Sequence, residues 1–137
     1  MSMVRLTRVL PVPPDRVWHA LTDPTALAAW FWPPRMAPTA DTDVRAGGRY
    51  HIAASSPRMA VSGEYVELEP PKRLAFTWQW DGEAEQTLVT IGLAANDAGT
   101  ELTLTHERFD DDGSRDNHLK GWEDCLDRLP GWLARHA

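Results

Sequence analysis

The chain has 137 residues, of which 42% are hydrophobic and 25% charged, an ordinary composition for one domain that folds without disulfide or metal staples. Asp and Glu number 20 against 14 Lys and Arg, a net charge of −6, and this excess argues against a nucleic-acid partner, whose phosphates require clustered cations. A single cysteine, Cys125, cannot close an internal disulfide, no apolar run reaches membrane-spanning length, and the opening residues lack the apolar stretch of a signal peptide, so the expectation is a cytoplasmic protein without membrane contact.

In chain order, Val4, Leu6, Val9, Leu10 and Val12 form a β-prone run that ends at Pro11 to Pro14, where donors for ladder pairing are missing. Val17, Trp18 and Leu21 then fall at helical spacing. Asp23-Pro24 reads as an N-cap followed by proline in the first turn of a second short helix. Leu27, Trp30 and Phe31 form the apolar face of that helix, which Pro33-Pro34 ends. Residues 35–45 show no period and read as a loop.

From Gly47-Gly48 onward five strands are expected: Arg49 to Ala54, Met59 to Glu69, Arg73 to Asp81, Gln86 to Ala95 and Thr100 to Glu107. Pro70-Pro71, Asp81-Gly82 and Asn96 to Gly99 carry turn chemistry between them, so neighbours pair antiparallel as a meander. Alternation puts Leu74, Phe76, Trp78 and Trp80 on one face with Val89, Ile91, Leu93, Leu102, Leu104 and His106, and Thr77 and Gln79 on the other. The acidic run Asp110 to Asp112 caps a terminal amphipathic helix whose stripe is Leu119, Trp122, Leu126, Leu129 and Leu133. Pro130 predicts a kink or an irregular last turn.

The segments Val17-Trp18, Leu21-Thr22-Asp23-Pro24, Trp30-Phe31 and Gly47-Gly48-Arg49-Tyr50 resemble the opening of the activator of heat shock protein ninety ATPase homologue-like family. Gly63 to Glu67, Pro70 to Leu74, Phe76-Thr77-Trp78, Leu102 to Phe109 and Gly121-Trp122 are similar to the remainder of that family, across nearly the whole chain. The resemblance implies an α+β helix-grip, or START-like, fold over residues 1–137: a curved antiparallel sheet wrapped around a long C-terminal helix. It also implies a cavity between sheet and helix, of the kind that holds an apolar small molecule in relatives. The eukaryotic protein that names the family carries a separate chaperone-binding domain, for which this chain has no room.

Seven tryptophans in so short a chain supply rigid apolar area, suited either to a bulky core or to an aromatic-lined pocket. The candidate ligand-binding set is Trp30, Phe31, Tyr50, Phe76, Trp78, Trp80, His106, Trp122, Cys125 and Leu126. His106 is open to two uses: a base or carbonyl-polarising group, or a rim histidine satisfied by one hydrogen bond. Cys125 lies about 10 Å along the helix from His118, too far for a thiolate–imidazole pair, and reads as a small hydrophobe.

His51, His106 and His118 lack metal-ligand spacing, and residues 110–121 fail as a calcium loop because Arg115 and Gly121 stand where glycine and a bidentate Glu are needed. No metal, cofactor or catalytic residue is therefore expected. The leading expectation is non-catalytic binding of an apolar or aromatic small molecule. An aromatase/cyclase-like enzyme and a stress-related module that contacts a chaperone are the alternatives, and the chain is expected to be a monomer or homodimer.

Overall fold

The computed structural model describes residues 3–136; the leader expectation at Met1 and Ser2 lies outside the described residues. Strand β1 (Val4–Leu10) ends at Pro11, and helix α1 (Pro14–Thr22) begins with proline in its first turn, where a missing N–H costs nothing. Helix α2 (Pro24–Trp30) follows at once because Asp23 serves both helices. Its backbone N–H closes α1 on His19 O at 2.9 Å, and its carboxylate caps α2 by accepting from Ala26 N at 3.0 Å.

Residues expected to form a loop after α2 contain a short 3-10 turn (Pro34–Met36) and a strand of four residues, β2 (Thr39–Thr42). Thr-Ala-Asp-Thr has no apolar alternation to announce a strand. It pairs because β3 (Arg49–Ser55) offers it a free ladder, with Thr39 opposite Ala53 and Thr42 opposite Tyr50.

Strands β4 (Arg58–Glu69), β5 (Arg73–Trp80), β6 (Thr87–Asn96) and β7 (Gly99–Glu107) continue the meander. The sheet has seven antiparallel strands in the order β1-β7-β6-β5-β4-β3-β2, so β1 joins the far side of β7 and the two short helices bridge the sheet's ends. Phe76 pairs with Val89 and Leu74 with Ile91, and all four are buried, whereas Thr77 and Gln79 are partly exposed.

At one point the strands approach so closely that only glycine fits: a Cβ on Gly63 would sit 1.9 Å from Thr77 O. Tyr50, opposite Gly63 on β3, covers the bare backbone and donates its hydroxyl to Thr77 O at 2.5 Å. A register shift between Tyr65 and Glu67 bends β4 just beyond.

Helix α3 (Asp112–Arg135) packs against β1, α1 and α2 and buries Trp122, Cys125, Leu126, Leu129, Trp132 and Leu133. Asp111 is its N-cap, accepting from Ser114 N at 2.7 Å. The helix continues through Pro130 to Arg135. Arg128 reaches back from it to Trp30 O at 3.1 Å and Phe31 O at 2.6 Å, satisfying carbonyls at the end of α2 and clamping that helix to α3.

Candidate ligand-binding cleft

Asp81-Gly82 turns the chain out of β5, with Gly82 at φ 83°, a conformation glycine adopts without strain. The connection then runs further than a two-residue hairpin, to Gln86. Its length lets Glu85 reach the start of α3, where its carboxylate accepts from Asp110 N and from Ser114 Oγ, each at 2.8 Å. The β5–β6 loop and the N-terminal turns of α3 thus form the two sides of an open cleft of about 740 Å³.

Its walls are aromatic: Phe31 and Trp32 from the end of α2, Trp78 and Trp80 from β5, and Trp122 from α3. Trp32 and Trp80 lie nearly parallel, 11° apart with ring centroids at 6.1 Å, while Trp78 meets Trp80 edge to face at 5.6 Å. Glu83, Glu85, Asp110 and Asp111 form the rim, and Met59 from β4 and Cys125 complete the lining. Deeper, the space between sheet and helix is nearly filled by side chains, leaving a void of about 30 Å³ bordered by Tyr50, Phe76, Ile91 and their neighbours.

Two histidines stand behind or in this wall with both ring nitrogens engaged. His118 lines the cleft; its Nε2 accepts from Trp80 Nε1 at 2.9 Å, so its proton sits on Nδ1, which donates to Ser114 O at 2.7 Å. His106 is fully buried, its Nδ1 accepting from Trp122 Nε1 at 2.9 Å and its Nε2 lying 2.6 Å from Thr87 Oγ1. Thr87 Oγ1 in turn donates to Trp78 O at 3.2 Å, so one hydrogen-bonded chain runs from Trp122 through His106 and Thr87 to the backbone of Trp78. Burial first, and the electrostatic influence of the neighbouring His118 second, push the His106 pKa down from 6.5 to about 3. A neutral ring holding two tryptophan-bearing elements together is scaffold, and it offers no lone pair to the cleft.

Of the sequence-based set, Phe31, Trp78, Trp80, Trp122 and Cys125 meet at the cleft, and Tyr50 and Phe76 border only the inner void. Trp30, His106 and Leu126 touch neither space; Trp30 is packed with its indole N–H donated to Ala20 O at 2.8 Å. Cys125 donates its thiol to Phe31 O at 3.0 Å, and burial pushes that thiol up to about 12 against the opposing influence of Arg128.

Trp32, Met59, His118 and the four rim carboxylates are additions that sequence reasoning missed. Trp32 was signalled only by the Trp-Phe-Trp run at 30–32, whose consecutive rings cannot share a helix face. Asp110 and Asp111 were legible only as part of a helix-capping acidic run, and Glu83 and Glu85 sit in a loop without periodicity. Among the described residues no group of His, Cys, Asp or Glu is placed to hold a metal ion, and no helix is long and apolar enough to cross a membrane.

A seven-stranded antiparallel sheet curved around a long terminal helix, with two short helices after the first strand and an aromatic cleft at one end, defines the helix-grip, START-like class. Residues 11–134 match the family model described as activator of Hsp90 ATPase homolog 1-like protein, and the chain belongs to that family.

Protein CV1439 from Chromobacterium violaceum is similar over 97% of this chain and 98% of its own, at 34% identity with a TM-score of 0.84. MLL2253 from Mesorhizobium loti is similar over 98% of both chains, at 25% identity with a TM-score of 0.85. CalU16 from Micromonospora echinospora is 28% identical over 96% of this chain and 74% of its own, with a TM-score of 0.71. No curated protein matches the chain.

Proposed function

We propose that the chain, acting as one domain, binds an apolar or aromatic small molecule in the cleft between β5 and the first half of α3, without catalysing a reaction on it. The observation that carries this is the cleft itself: about 740 Å³, within the usual range for small-molecule sites, and walled by five aromatic rings from three separate elements. The rings contact one another along the wall, Trp78 and Trp122 at 5.1 Å between centroids, and still leave the space in front of them open, whereas the inner void is nearly filled. The engagement of both nitrogens of His106 and of His118 supports binding over proton transfer, since a general base needs a free lone pair near the reacting atom.

The test uses naphthylmethanol, a neutral aromatic alcohol, with tryptophan fluorescence and thermal melting as readouts. Binding quenches the fluorescence and raises Tm, because a ligand that binds only the folded state at about a hundred times its Kd stabilises it by about 2.7 kcal/mol. Trp80→Ala removes a partly exposed wall residue and is expected to weaken binding about tenfold or more. The absence of both quenching and a Tm shift across a panel of neutral aromatic compounds would refute the proposal.

A further inference from the structure

We infer that the cleft selects a cationic ligand: an aromatic or apolar molecule bearing an amine or quaternary ammonium group. This deepens the proposed binding function and rests on it. The lining holds four carboxylate residues, Glu83, Glu85, Asp110 and Asp111, and not one Lys or Arg. Arg115, on the adjoining turn of α3, is outside the lining and turns its guanidinium onto Asp116 at 2.7 Å.

The four acids do different things. Glu85 is held by two hydrogen bonds and Asp111 caps the helix, so these two define the shape of the rim. Glu83 and Asp110 are exposed, and among the described residues neither carboxylate takes a hydrogen bond or an ion pair. The positive end of α3 would by itself draw an anion, but Asp111 at the cap and Asp112 in the first turn already offset it.

Beneath this rim the stacked pair Trp32 and Trp80 lines the cleft, and tryptophan is the aromatic side chain that attracts an ammonium group most strongly. Trp78 adds a third tryptophan ring on the inner wall, stacked edge to face against Trp80 at 5.6 Å. Negative rim, aromatic wall and no counter-cation together give the selectivity; an anionic ligand would meet uncompensated repulsion at the entrance.

Three probes with one ring system test this by titration calorimetry: naphthylmethyl-trimethylammonium, naphthylmethanol and naphthoate. The ammonium compound is expected to bind about tenfold tighter than the alcohol, with naphthoate the weakest. Raising the salt concentration to about 1 M is expected to erode the ammonium preference and leave the alcohol unchanged. The double variant Glu83→Gln with Asp110→Asn, at two exposed positions outside the core, is expected to bring the ammonium compound to the alcohol's affinity.

Equal or tighter binding of the alcohol overturns the cationic selectivity and leaves the binding function standing, as does a preference that survives the double variant. Failure of all three probes to bind overturns both.

Discussion

His106 makes the packing testable with one proton. An indole N–H can only donate, so the bond from Trp122 at 2.9 Å assigns Nδ1 as an acceptor and puts the neutral ring's proton on Nε2, toward Thr87. A second proton would have to sit on Nδ1, facing the Trp122 N–H at a fully buried position. The folded pKa is accordingly lowered from 6.5 to about 3, by burial first and by His118 second.

As pH falls below 6.5 the unfolded chain takes up a proton that the folded chain refuses, so the unfolded state binds more protons and stability falls. The contribution is complete above 6.5 and lost progressively down to about 3. At about 1.36 kcal/mol per pH unit the full loss is at most about 5 kcal/mol, comparable to the lower end of a domain's total stability.

His106→Gln removes the titrating group. At about pH 7 it is expected to cost about 1–3 kcal/mol, because a glutamine cannot satisfy both Trp122 and Thr87. Urea denaturation followed by tryptophan fluorescence, repeated from about pH 7 to about pH 4, measures both proteins; contributions from carboxylates cancel in the difference. The deficit of the variant is expected to shrink by up to about 1.4 kcal/mol per pH unit and to close or reverse near the acid end. Identical pH slopes for the two proteins would refute a neutral, sealed His106.

Two further expectations concern the scaffold. Cys125→Ser keeps a donor for Phe31 O and is expected to change stability by about 1 kcal/mol or less; the native thiol, pushed up to about 12, reacts slowly with iodoacetamide at neutral pH and quickly in urea, and equal rates would contradict its burial. Gly63→Ala forces a Cβ to within 1.9 Å of Thr77 O, so β4 and β5 must part and the Tyr50 hydroxyl must retreat; a loss of about 1–3 kcal/mol is expected in urea denaturation, and an unchanged midpoint would mean that the strands have slack.

Function in this fold depends on where the interior stops being filled. Between the sheet and the second half of α3, Leu126, Leu129 and Leu133 close the space completely. Toward the start of α3 the stripe changes to Trp122, His118 and Ser114, with Gly121 beside Trp122 and Gly113 beside Ser114. Trp80 and Trp122 are tied by their indole N–H groups to His118 and His106, the glycines nearby add no bulk, and the cleft opens there.

The sequence by itself determined the elements whose burial is periodic. Alternation from Leu74 to Trp80 set the inward face of β5, the stripe from Trp122 to Leu133 set that of α3, and Asp23-Pro24 set the corner between the two short helices, because each is a local pattern that one element imposes on its own residues. Only the tertiary structure decided the rest. β2 exists because β3 offers it an edge, His106 is sealed because Thr87 and Trp122 arrive from other elements, and Trp32 stacks on a ring 48 positions away. The acidic rim gathers residues 83–85 and 110–111 across the span of two strands. Such meetings are set by chain closure over long separations, and no local period records them.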